Sequence, residues 1–176
     1  MRKVILGFGM SLDGYIARPD GSVDFLISDK ESEKLMGDFF KTIDVGIMGR
    51  KTMELSMKMH GGVYQSGGLE TYVFSRTWQP GKRDGFEVVK GSPAALIRRL
   101  RTRKGKHIFL MSGELGRAFL QADLVDELYL GIVPVLLGEG TPGFPGGFPQ
   151  RDFRLVSSQI FAKDSVALIY KRASGK

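Results

Sequence analysis

The chain has 176 residues, of which 42% are apolar and 26% charged, as expected for one globular domain with a substantial core. It contains no cysteine, so disulfides, thiolate nucleophiles and cysteine-based metal or iron–sulfur sites are excluded. Its formal net charge of +7 leaves a polyanion partner open, whereas the apolar stretch at the start is too short for a signal peptide or a membrane span. We expect one cytoplasmic domain over residues 1–172, followed by a short tail at 173–176.

The first half of the chain predicts strands and helices in alternation. Residues 4–9 form a short apolar run that leads into a turn at 11–14, as a buried strand would. Residues 28–31 have the spacing of a helical capping box, and the apolar stripe of Leu35, Met36, Phe39 and Phe40 then predicts a helix over about 29–41, with that stripe in the core. Further strands are predicted at 45–48, 72–75 and 86–89, and a further helix around 53–58.

The second half continues this alternation and then changes. Ser92 before Pro93 is typical of a helix N-terminus, and we expect that helix to continue until Gly105 stops it. A strand at 107–111 and a helix at 114–121 follow. The remaining pattern is a strand at 128–133, a loop at 138–149 and an antiparallel pair at 153–161 and 166–170. An α/β fold follows, with a mostly parallel mixed sheet and an antiparallel C-terminal hairpin.

Three predicted strands end in groups that suit phosphate. In an open α/β sheet, ligands collect beyond the carboxyl ends of the strands, where helix N-termini offer free N–H groups and a partial positive charge. Arg50 can grip a phosphate with its planar guanidinium, and Ser75 with Arg76 can meet a second anionic group, which favours NADPH over NADH. Each group taken alone is better explained as a tight turn, solvated side chains or an ordinary polar loop. The three groups are Gly49, Arg50, Lys51 and Thr52; Ser75, Arg76 and Thr77; and Ser112, Gly113 and Glu114.

Other motifs in the sequence argue against competing site types. Residues 138–143 match the glycine string of dinucleotide-binding folds, but Pro142 lies inside the string and no helix pattern follows, so we predict a loop. Residues 49–52 lack the upstream glycine of a nucleotide-hydrolysing phosphate loop. His60 and His107 lie far apart and have no acidic partner at ligand spacing, so no metal site is predicted. No serine lies in a nucleophile elbow, which argues against Ser-His-Asp catalysis.

Six basic residues lie close together between Arg98 and Lys106. A nucleic-acid partner is one interpretation of this cluster. No aromatic residues alternate with the basic ones, as a stacking platform for bases would require. We therefore favour the interpretation that they form the solvated face and the end of one helix.

Five motifs in a fixed order give the sequence a family resemblance. The succession SLDGYIA at 11–17, GRKT at 49–52 and VFSRT at 73–77 resembles the dihydrofolate reductase-like superfamily. LVDEL at 124–128, followed by VPVLLGEG at 133–140, is similar to the branch that contains the reductase domain of bacterial riboflavin biosynthesis proteins. The resemblance spans about residues 4–172 and implies a three-layer fold with helices on both faces of the sheet.

The resemblance implies an NADPH-dependent reductase that transfers hydride to a small heterocyclic substrate of the aminouracil or pterin type. The closest activity it implies is that of 5-amino-6-(5-phosphoribosylamino)uracil reductase, without a preceding deaminase domain. It further implies a homodimer with no membrane partner. Arg50, Thr52, Ser75 and Arg76 would hold the adenosine phosphates. Around them, the implied cofactor site contains Ile16 and Ala17 beside the nicotinamide, Gly49, Lys51 and Thr77 at the strand ends, and Ser112, Gly113, Glu114 and Leu115 along the pyrophosphate.

Two departures from the family pattern shape these expectations. Ser112 stands in a segment where the family carries two or three glycines, so we expect it to narrow the pyrophosphate site or to replace a backbone contact with its hydroxyl. If Phe39 or Phe40 occupies the usual aromatic position, Leu35 or Met36 replaces the helical carboxylate that binds the pterin in dihydrofolate reductases. Dihydrofolate reductase is therefore the second alternative, and a non-catalytic nucleotide- or nucleic-acid-binding protein is the third.

Asp13 is the candidate for a catalytic carboxylate. It lies in the turn after the first predicted strand, at the end of the sheet where a substrate would bind. We expect it to orient the substrate, and the alternative is an ordinary turn aspartate. Hydride transfer needs no protein nucleophile, because the cofactor carries the chemistry and the protein supplies position and electrostatics.

Overall fold

Eleven strands form two sheets in the computed structural model, which describes residues 1–111 and 113–173. Nine of them make one large sheet in the order β10-β11-β8-β1-β7-β3-β4-β6-β5, and β2 pairs with β9 in a small separate sheet. In chain order the strands are β1 (Val4–Ser11), β2 (Tyr15–Ala17), β3 (Ile43–Gly49), β4 (Glu70–Phe74), β5 (Gly81–Arg83), β6 (Phe86–Val89), β7 (His107–Met111), β8 (Glu127–Val133), β9 (Thr141–Pro142), β10 (Phe153–Phe161) and β11 (Ser165–Arg172).

The centre of the large sheet is parallel and its edges are antiparallel. Strands β8, β1, β7, β3, β4 and β6 run in the same direction. Strand β11 is antiparallel to β8 and to β10, and β5 is antiparallel to β6. The predicted mostly parallel sheet with an antiparallel C-terminal pair is confirmed. As a result, the carboxyl ends of six neighbouring strands lie at one edge of the sheet.

In the described part of the chain, four helices cover the two faces of the large sheet: α1 (Lys30–Phe40), α2 (Arg50–Met59), α3 (Pro93–Arg101) and α4 (Gly113–Gln121). Successive residues of a strand point to opposite faces, so Ile5 and Leu6 mark the two sides. Ile5 packs with Phe39 of α1, whereas Leu6 lies in the cluster that contains Leu100 of α3 and Phe119 of α4. Helix α2 packs on the α1 side through Met53. This is the three-layer arrangement implied by the family resemblance. Among the described residues, no helix is long and apolar enough to cross a membrane.

The predicted capping box of α1 is one residue out of place. The box is formed by Asp29 and Ser32: the Asp29 carboxylate accepts from the Ser32 N–H, and the Ser32 hydroxyl accepts from the Asp29 N–H, both at 2.9 Å. The expectation that the whole apolar stripe of α1 lies in the core is also wrong. Phe39 is buried, whereas Phe40 is exposed and Leu35 and Met36 are only partly buried. The reason is that one side of α1 borders a cavity rather than packed sheet.

Two helix boundaries also differ from the predicted ones. Helix α2 begins at Arg50, three residues earlier than predicted, because Gly49 ends β3 and serves directly as the N-cap. Helix α3 ends at Arg101, before Gly105. Gly105 instead allows close packing, since a Cβ there would collide with the Asp44 carboxylate and approach the Arg2 guanidinium to 2.9 Å.

The three shortest strands were not predicted. Strands β2 and β5 have three residues each and β9 has two, which is too short for an alternating pattern to be recognised. The predicted loop at 138–149 is therefore interrupted by β9. Within it, Gly140 lies so close to the Ala17 carbonyl that a Cβ would collide with it. This contact fixes the loop against β2.

Candidate functional site

The structure brings the three predicted phosphate-binding segments together at one edge of the sheet. They follow β3, β4 and β7, which are neighbours in the sheet. Met48 of β3 pairs with Met111 of β7, and Gly49 pairs with Phe74 of β4, so the three strands end at the same level. We refer to this region as the cofactor edge.

At the end of β3, helix α2 begins without a side-chain cap. Gly49 is the N-cap and supplies no side-chain hydrogen bond, and the first turn contains no acidic residue. The N–H groups of Arg50, Lys51 and Thr52 are therefore at a helix terminus that favours negative charge. The Arg50 guanidinium pairs with Glu54 one turn later, at 2.5 Å, and about a third of its side chain is exposed. The Lys51 side chain is exposed and Thr52 is partly buried.

At the end of β4, Ser75 organises a tight turn. Its buried hydroxyl oxygen accepts hydrogen bonds from the backbone N–H groups of Thr77, at 3.2 Å, and Trp78, at 2.9 Å. Thr77 and Arg76 are both exposed. Within the described part of the chain, no ion pair involving Arg76 is recorded. The turn therefore engages the Ser75 hydroxyl and leaves the Arg76 guanidinium as the group that can meet an anion.

At the end of β7, Gly113 begins α4 in a confined space. A Cβ at Gly113 would lie 3.0 Å from Ile16 Cδ1 and 3.0 Å from the Pro142 carbonyl oxygen. The structure thus brings Ile16 of β2 to the start of α4, and Ala17 follows it in the same strand. Ser112 lies outside the described residues, so the expected effect of that departure stays a prediction.

The other two predicted residues of α4 have different environments. Glu114 is exposed and pairs with Arg117 at 3.3 Å. Leu115 is partly buried and packs against the core on the α3 and α4 side. Leu115 therefore anchors α4 to the core through apolar contacts. Glu114 places a negative charge at the N-terminus of the helix.

Asp13 holds two loops together. Its carboxylate accepts hydrogen bonds from the Ser11 hydroxyl at 2.6 Å, from the Leu137 N–H at 3.1 Å and from the Gly138 N–H at 2.7 Å. The Ser11 hydrogen bond and the two backbone donors lower the pKa of the Asp13 carboxyl, against a smaller opposing effect of desolvation. These contacts join the turn after β1 to the loop after β8, and the substrate-orienting role of Asp13 stays a prediction.

The Asp13→Asn substitution is expected to reduce stability at pH 7 and to matter less in acid. A carboxyl whose pKa is lowered by folding stabilises the fold above its unfolded pKa, about 3.9, and that contribution is lost as the pH falls through the folded pKa. Urea midpoints of the wild type and the variant at pH 7 and pH 3 measure the effect. Asp84→Asn, in the exposed turn between β5 and β6, is the control. A stability loss of equal size at both pH values would contradict the role of the charge.

A cavity of about 250 Å³ lies between α1 and the sheet. Leu35 and Met36 line it from the helix. Most of the remaining lining residues were not predictable from the sequence because they come from separate strands. The one available signal was Gly9, since a glycine within a strand often marks a close approach of ligand or backbone. The other residues that line the cavity are Phe8, Gly9, Leu26, Ile27, Ser32, Phe109, Tyr129, Gly131, Val133, Phe161 and Ala167.

Comparison with protein families gives a match to the RibD C-terminal domain over residues 2–167. The chain belongs to the RibD C-terminal domain family. Protein YwjB of Bacillus subtilis, whose function is uncharacterized, is 33% identical over 174 residues, covering 98% of this chain and 99% of that protein. The resemblance inferred from the ordered motifs is thereby confirmed.

Two solved structures relate the fold to the same family. A putative riboflavin biosynthesis protein from Shewanella sp. PV-4 superposes with a TM-score of 0.85 at 25% identity, covering 98% of this chain and 99% of that one. A diaminohydroxyphosphoribosylaminopyrimidine deaminase/5-amino-6-(5-phosphoribosylamino)uracil reductase from Thermotoga maritima gives a TM-score of 0.72 at 17% identity. It covers 98% of this chain and 57% of the Thermotoga chain, and at that identity it supports the fold alone.

In this member of the RibD C-terminal domain family, part of the basic segment is used in ion pairs. Arg101 pairs with Asp126 at 2.7 Å, and Arg103 binds both carboxylate oxygens of Glu70 at 2.8 and 3.0 Å. The segment therefore contributes to tertiary contacts as well as to the solvated helix face. Among the described residues, no group of three histidine, aspartate or glutamate side chains is arranged to hold a metal ion.

Proposed function

We propose that the protein is an NADPH-dependent reductase that transfers hydride to a small heterocyclic substrate. The observation that carries this proposal is the meeting of Arg50, Arg76 and the start of α4 at the cofactor edge, next to the cavity beside α1. Strand β1 connects the two regions, since Gly9 lines the cavity and the strand ends at Ser11. Strand β7, whose carboxyl end belongs to the cofactor edge, is the sheet neighbour of β1, and its Phe109 also lines the cavity. This neighbourhood supports a substrate site beside the cofactor.

The residues at the cofactor edge fit a phosphorylated dinucleotide. Exposed cationic side chains at two adjacent strand ends suit the phosphate that distinguishes NADPH from NADH. When bound, NADPH supplies the hydride, and the protein residues bind and orient the reactants. Gly113 is buried, and its lack of a side chain lets the start of α4 pack against Ile16 and the Pro142 and Gly143 carbonyl oxygens. The proposed contacts are those of Ile16, Ala17, Gly49, Arg50, Lys51, Thr52, Ser75, Arg76, Thr77, Ser112, Gly113, Glu114 and Leu115.

Arg50 must leave Glu54 to bind a phosphate, and the energies favour this exchange. A solvent-exposed ion pair between residues four apart on a helix contributes about 0.3–0.5 kcal/mol. A hydrogen bond to a charged group contributes about 1.5–3 kcal/mol. A phosphate therefore competes effectively with the Glu54 carboxylate, which holds the guanidinium in place until the cofactor binds.

The Arg50→Ala substitution is expected to weaken NADPH binding by about 1.5–3 kcal/mol and to affect NADH much less, because only NADPH carries the additional phosphate. Isothermal titration calorimetry with both cofactors measures the difference. Glu54→Gln is the matched variant: it releases Arg50 and is expected to strengthen NADPH binding about twofold. Equal losses for NADPH and NADH in Arg50→Ala would contradict the phosphate contact.

The proposed function is tested first by NADPH binding and then by a substrate screen. Calorimetric titration of NADPH up to millimolar concentrations is expected to show one site per chain. NADPH oxidation is then followed at 340 nm with pterins, aminouracils and flavins. Absence of NADPH binding would reject the proposal. The reduction of 5-amino-6-(5-phosphoribosylamino)uracil, the activity for which the Thermotoga maritima protein is named, is the reference reaction in this screen.

The structure gives little support to the two alternative functions. Dihydrofolate reduction is disfavoured because Leu35 and Met36, rather than a carboxylate, face the cavity from α1. Nucleic-acid binding is disfavoured because Arg101 and Arg103 are held in ion pairs. Dihydrofolate reductase activity and its inhibition by antifolates test the first alternative. The salt dependence of RNA and DNA binding to the protein tests the second.

The finer expectations about assembly, location and domain organisation are part of the same proposal. We propose a homodimer in the cytoplasm and a single domain over residues 1–172 with a short tail at 173–176. Strand β10 lies at the edge of the sheet and exposes Leu155, Val156 and Ile160, which supports self-association. Light scattering tests the dimer.

A further inference from the structure

The cavity beside α1 is apolar almost throughout. None of the described residues that line it is charged, and only Ser32 and Tyr129 carry a polar side-chain atom. The Ser32 hydroxyl is already engaged in the capping box, since it accepts from the Asp29 N–H and donates to the Asp29 carbonyl. The cavity therefore offers a ligand one side-chain polar group, the Tyr129 hydroxyl.

The Tyr129 hydroxyl differs from those of two other partly buried tyrosines. Burial raises the pKa of all three phenols. The Tyr64 hydroxyl bonds Thr71 at 2.9 Å and the Tyr72 hydroxyl donates to Glu70 at 2.5 Å. For Tyr129 no hydrogen-bond partner is recorded in the described part of the chain, although its ring is fixed against Phe39 at 4.5 Å. A packed ring whose hydroxyl no described group engages is suited to donate to a ligand acceptor.

Two glycines shape the floor of the cavity. Gly9 of β1 and Gly131 of β8 are direct neighbours in the sheet and lack side chains on the face toward α1. Leu26 packs onto Gly9, because a Cβ there would lie 2.8 Å from Leu26 Cδ2. A Cβ at Gly131 would be in ordinary van der Waals contact with the Gly9 Cα at 3.7 Å and the Phe161 Cζ at 3.9 Å. The sheet thus presents a flat area at Gly131, with Leu26 and the edge of the Phe161 ring beside it.

The size and polarity of the cavity limit what it can hold. Its volume of about 250 Å³ is below the range of about 300–1,000 Å³ that is typical of sites for drug-sized ligands. One or two fused rings suit this space better than a ring with a sugar phosphate. A phosphate placed there would also lose its hydration without gaining a cationic partner, which is strongly unfavourable.

Lys163 lies in the turn between β10 and β11 and contributes slightly to the lowered pKa of Asp29, whose chief cause is the hydrogen bond from the Ser32 N–H. Neither Lys163 nor any other cationic side chain is among the described residues that line the cavity. An anionic group inside the cavity would therefore have no cationic partner in its wall.

We infer that the hydride acceptor is an uncharged, planar compound of one or two conjugated rings, which lies on Gly131 and accepts a hydrogen bond from the Tyr129 hydroxyl. This inference rests on the proposed function and names its substrate class. One hydride and one proton from solvent reduce the conjugated ring system, and NADPH is oxidised to NADP⁺. This class excludes phosphoribosyl compounds such as 5-amino-6-(5-phosphoribosylamino)uracil, for whose reduction the Thermotoga maritima protein is named.

A matched pair of ring compounds tests the charge preference. 1,4-Naphthoquinone and its 2-sulfonate share the same rings and differ by one sulfonate group, which adds a negative charge together with its own volume. We expect the neutral quinone to bind at least about tenfold more tightly in calorimetric titrations of the cofactor-free protein, and to be the better acceptor in NADPH oxidation corrected for the reaction without protein. Equal or tighter binding of the sulfonate would overturn the inference.

Two variants then locate the binding site. Gly131→Val fills the flat area and is expected to weaken quinone binding at least about tenfold. Tyr129→Phe removes the hydroxyl and is expected to weaken it about threefold to tenfold. Gly37→Val, at a solvent-facing position of α1 with open space around it, is the matched control and leaves binding unchanged. Both site variants are expected to retain the NADPH affinity of the wild type.

The same measurements separate failure of this inference from failure of the proposed function. Wild-type NADPH binding together with unchanged quinone binding in both site variants would reject the cavity as the substrate site. Absence of NADPH binding to the wild type would reject the reductase, whatever the quinone does. If Gly131→Val fails to fold, the Tyr129→Phe result alone decides whether the hydroxyl contributes.

Discussion

The Gly113→Val substitution is expected to weaken NADPH binding by at least about tenfold and to destabilise the protein by about 1–3 kcal/mol. A Cβ at this position would lie 3.0 Å from the Pro142 carbonyl oxygen, which belongs to the backbone of β9, and 3.0 Å from Ile16 Cδ1. Ile16 can rotate, but the paired backbone of β9 cannot easily move. The start of α4 must therefore shift, together with the N–H groups that we propose to bind the pyrophosphate. One lost hydrogen bond to a charged group already accounts for a tenfold effect.

Two measurements separate the local effect of Gly113→Val from general destabilisation. Calorimetry gives the NADPH affinity, and urea unfolding gives the change in the free energy of unfolding. Gly37→Val is the control, because it makes the same chemical change where a Cβ has open space. Unchanged NADPH affinity in Gly113→Val would place the pyrophosphate away from α4.

The Phe119→Ala substitution is expected to cost about 3–5 kcal/mol of stability, the range for truncating a buried phenylalanine. Phe119 of α4 is fully buried, and its ring meets that of Phe74 edge to face at 6.2 Å. It links the helix that begins at the cofactor edge to the strand that precedes Ser75. Because a domain is stable by only about 5–15 kcal/mol, this loss is a large fraction of the total.

The midpoint of urea unfolding measures the loss in Phe119→Ala. Phe40→Ala is the matched control: its side chain is 36% exposed, so the same truncation removes less buried surface and leaves less of a cavity. We expect a much smaller cost there. Similar costs at the two positions would contradict the assignment of Phe119 to the main core.

The parts of the fold that could be predicted from sequence are those encoded by local pattern. Ser92 followed by Pro93 marks the start of α3, and the Ser92 hydroxyl accepts from the Ala94 N–H as an N-cap does. The start of α2 was predicted three residues too late because Gly49 both ends β3 and serves as the N-cap of α2. No polar N-cap residue in the sequence marks this start. The bounds of β2 and β9 were missed because their pairing depends on a contact between distant segments, Gly140 and Ala17.

The candidate site was predictable to a similar extent. The phosphate-suited groups follow β3, β4 and β7, and the rule that parallel strands end at one edge was enough to place them together. The contacts that each side chain makes could not be predicted from the sequence. The Ser75 hydroxyl accepts a hydrogen bond within its own turn, and Arg50 forms an ion pair with Glu54, and both contacts depend on side-chain geometry. The flat area at Gly131 could not be predicted from the sequence, because it arises only when β8 lies beside β1.

The central position of β1 has a consequence for the synthesis of the protein. Its two neighbours are made much later, since Val4 pairs with Ile108 and Ile5 with Glu127. At a translation rate of about 5–20 residues per second, the apolar β1 remains unpaired for roughly 5–25 s before either partner strand has been synthesised. The hairpin of β10 and β11, which covers the other side of β8, comes last of all. A nascent chain that stops before residue 165 leaves β8 as an open edge, so premature termination produces a species prone to aggregation rather than a smaller stable domain.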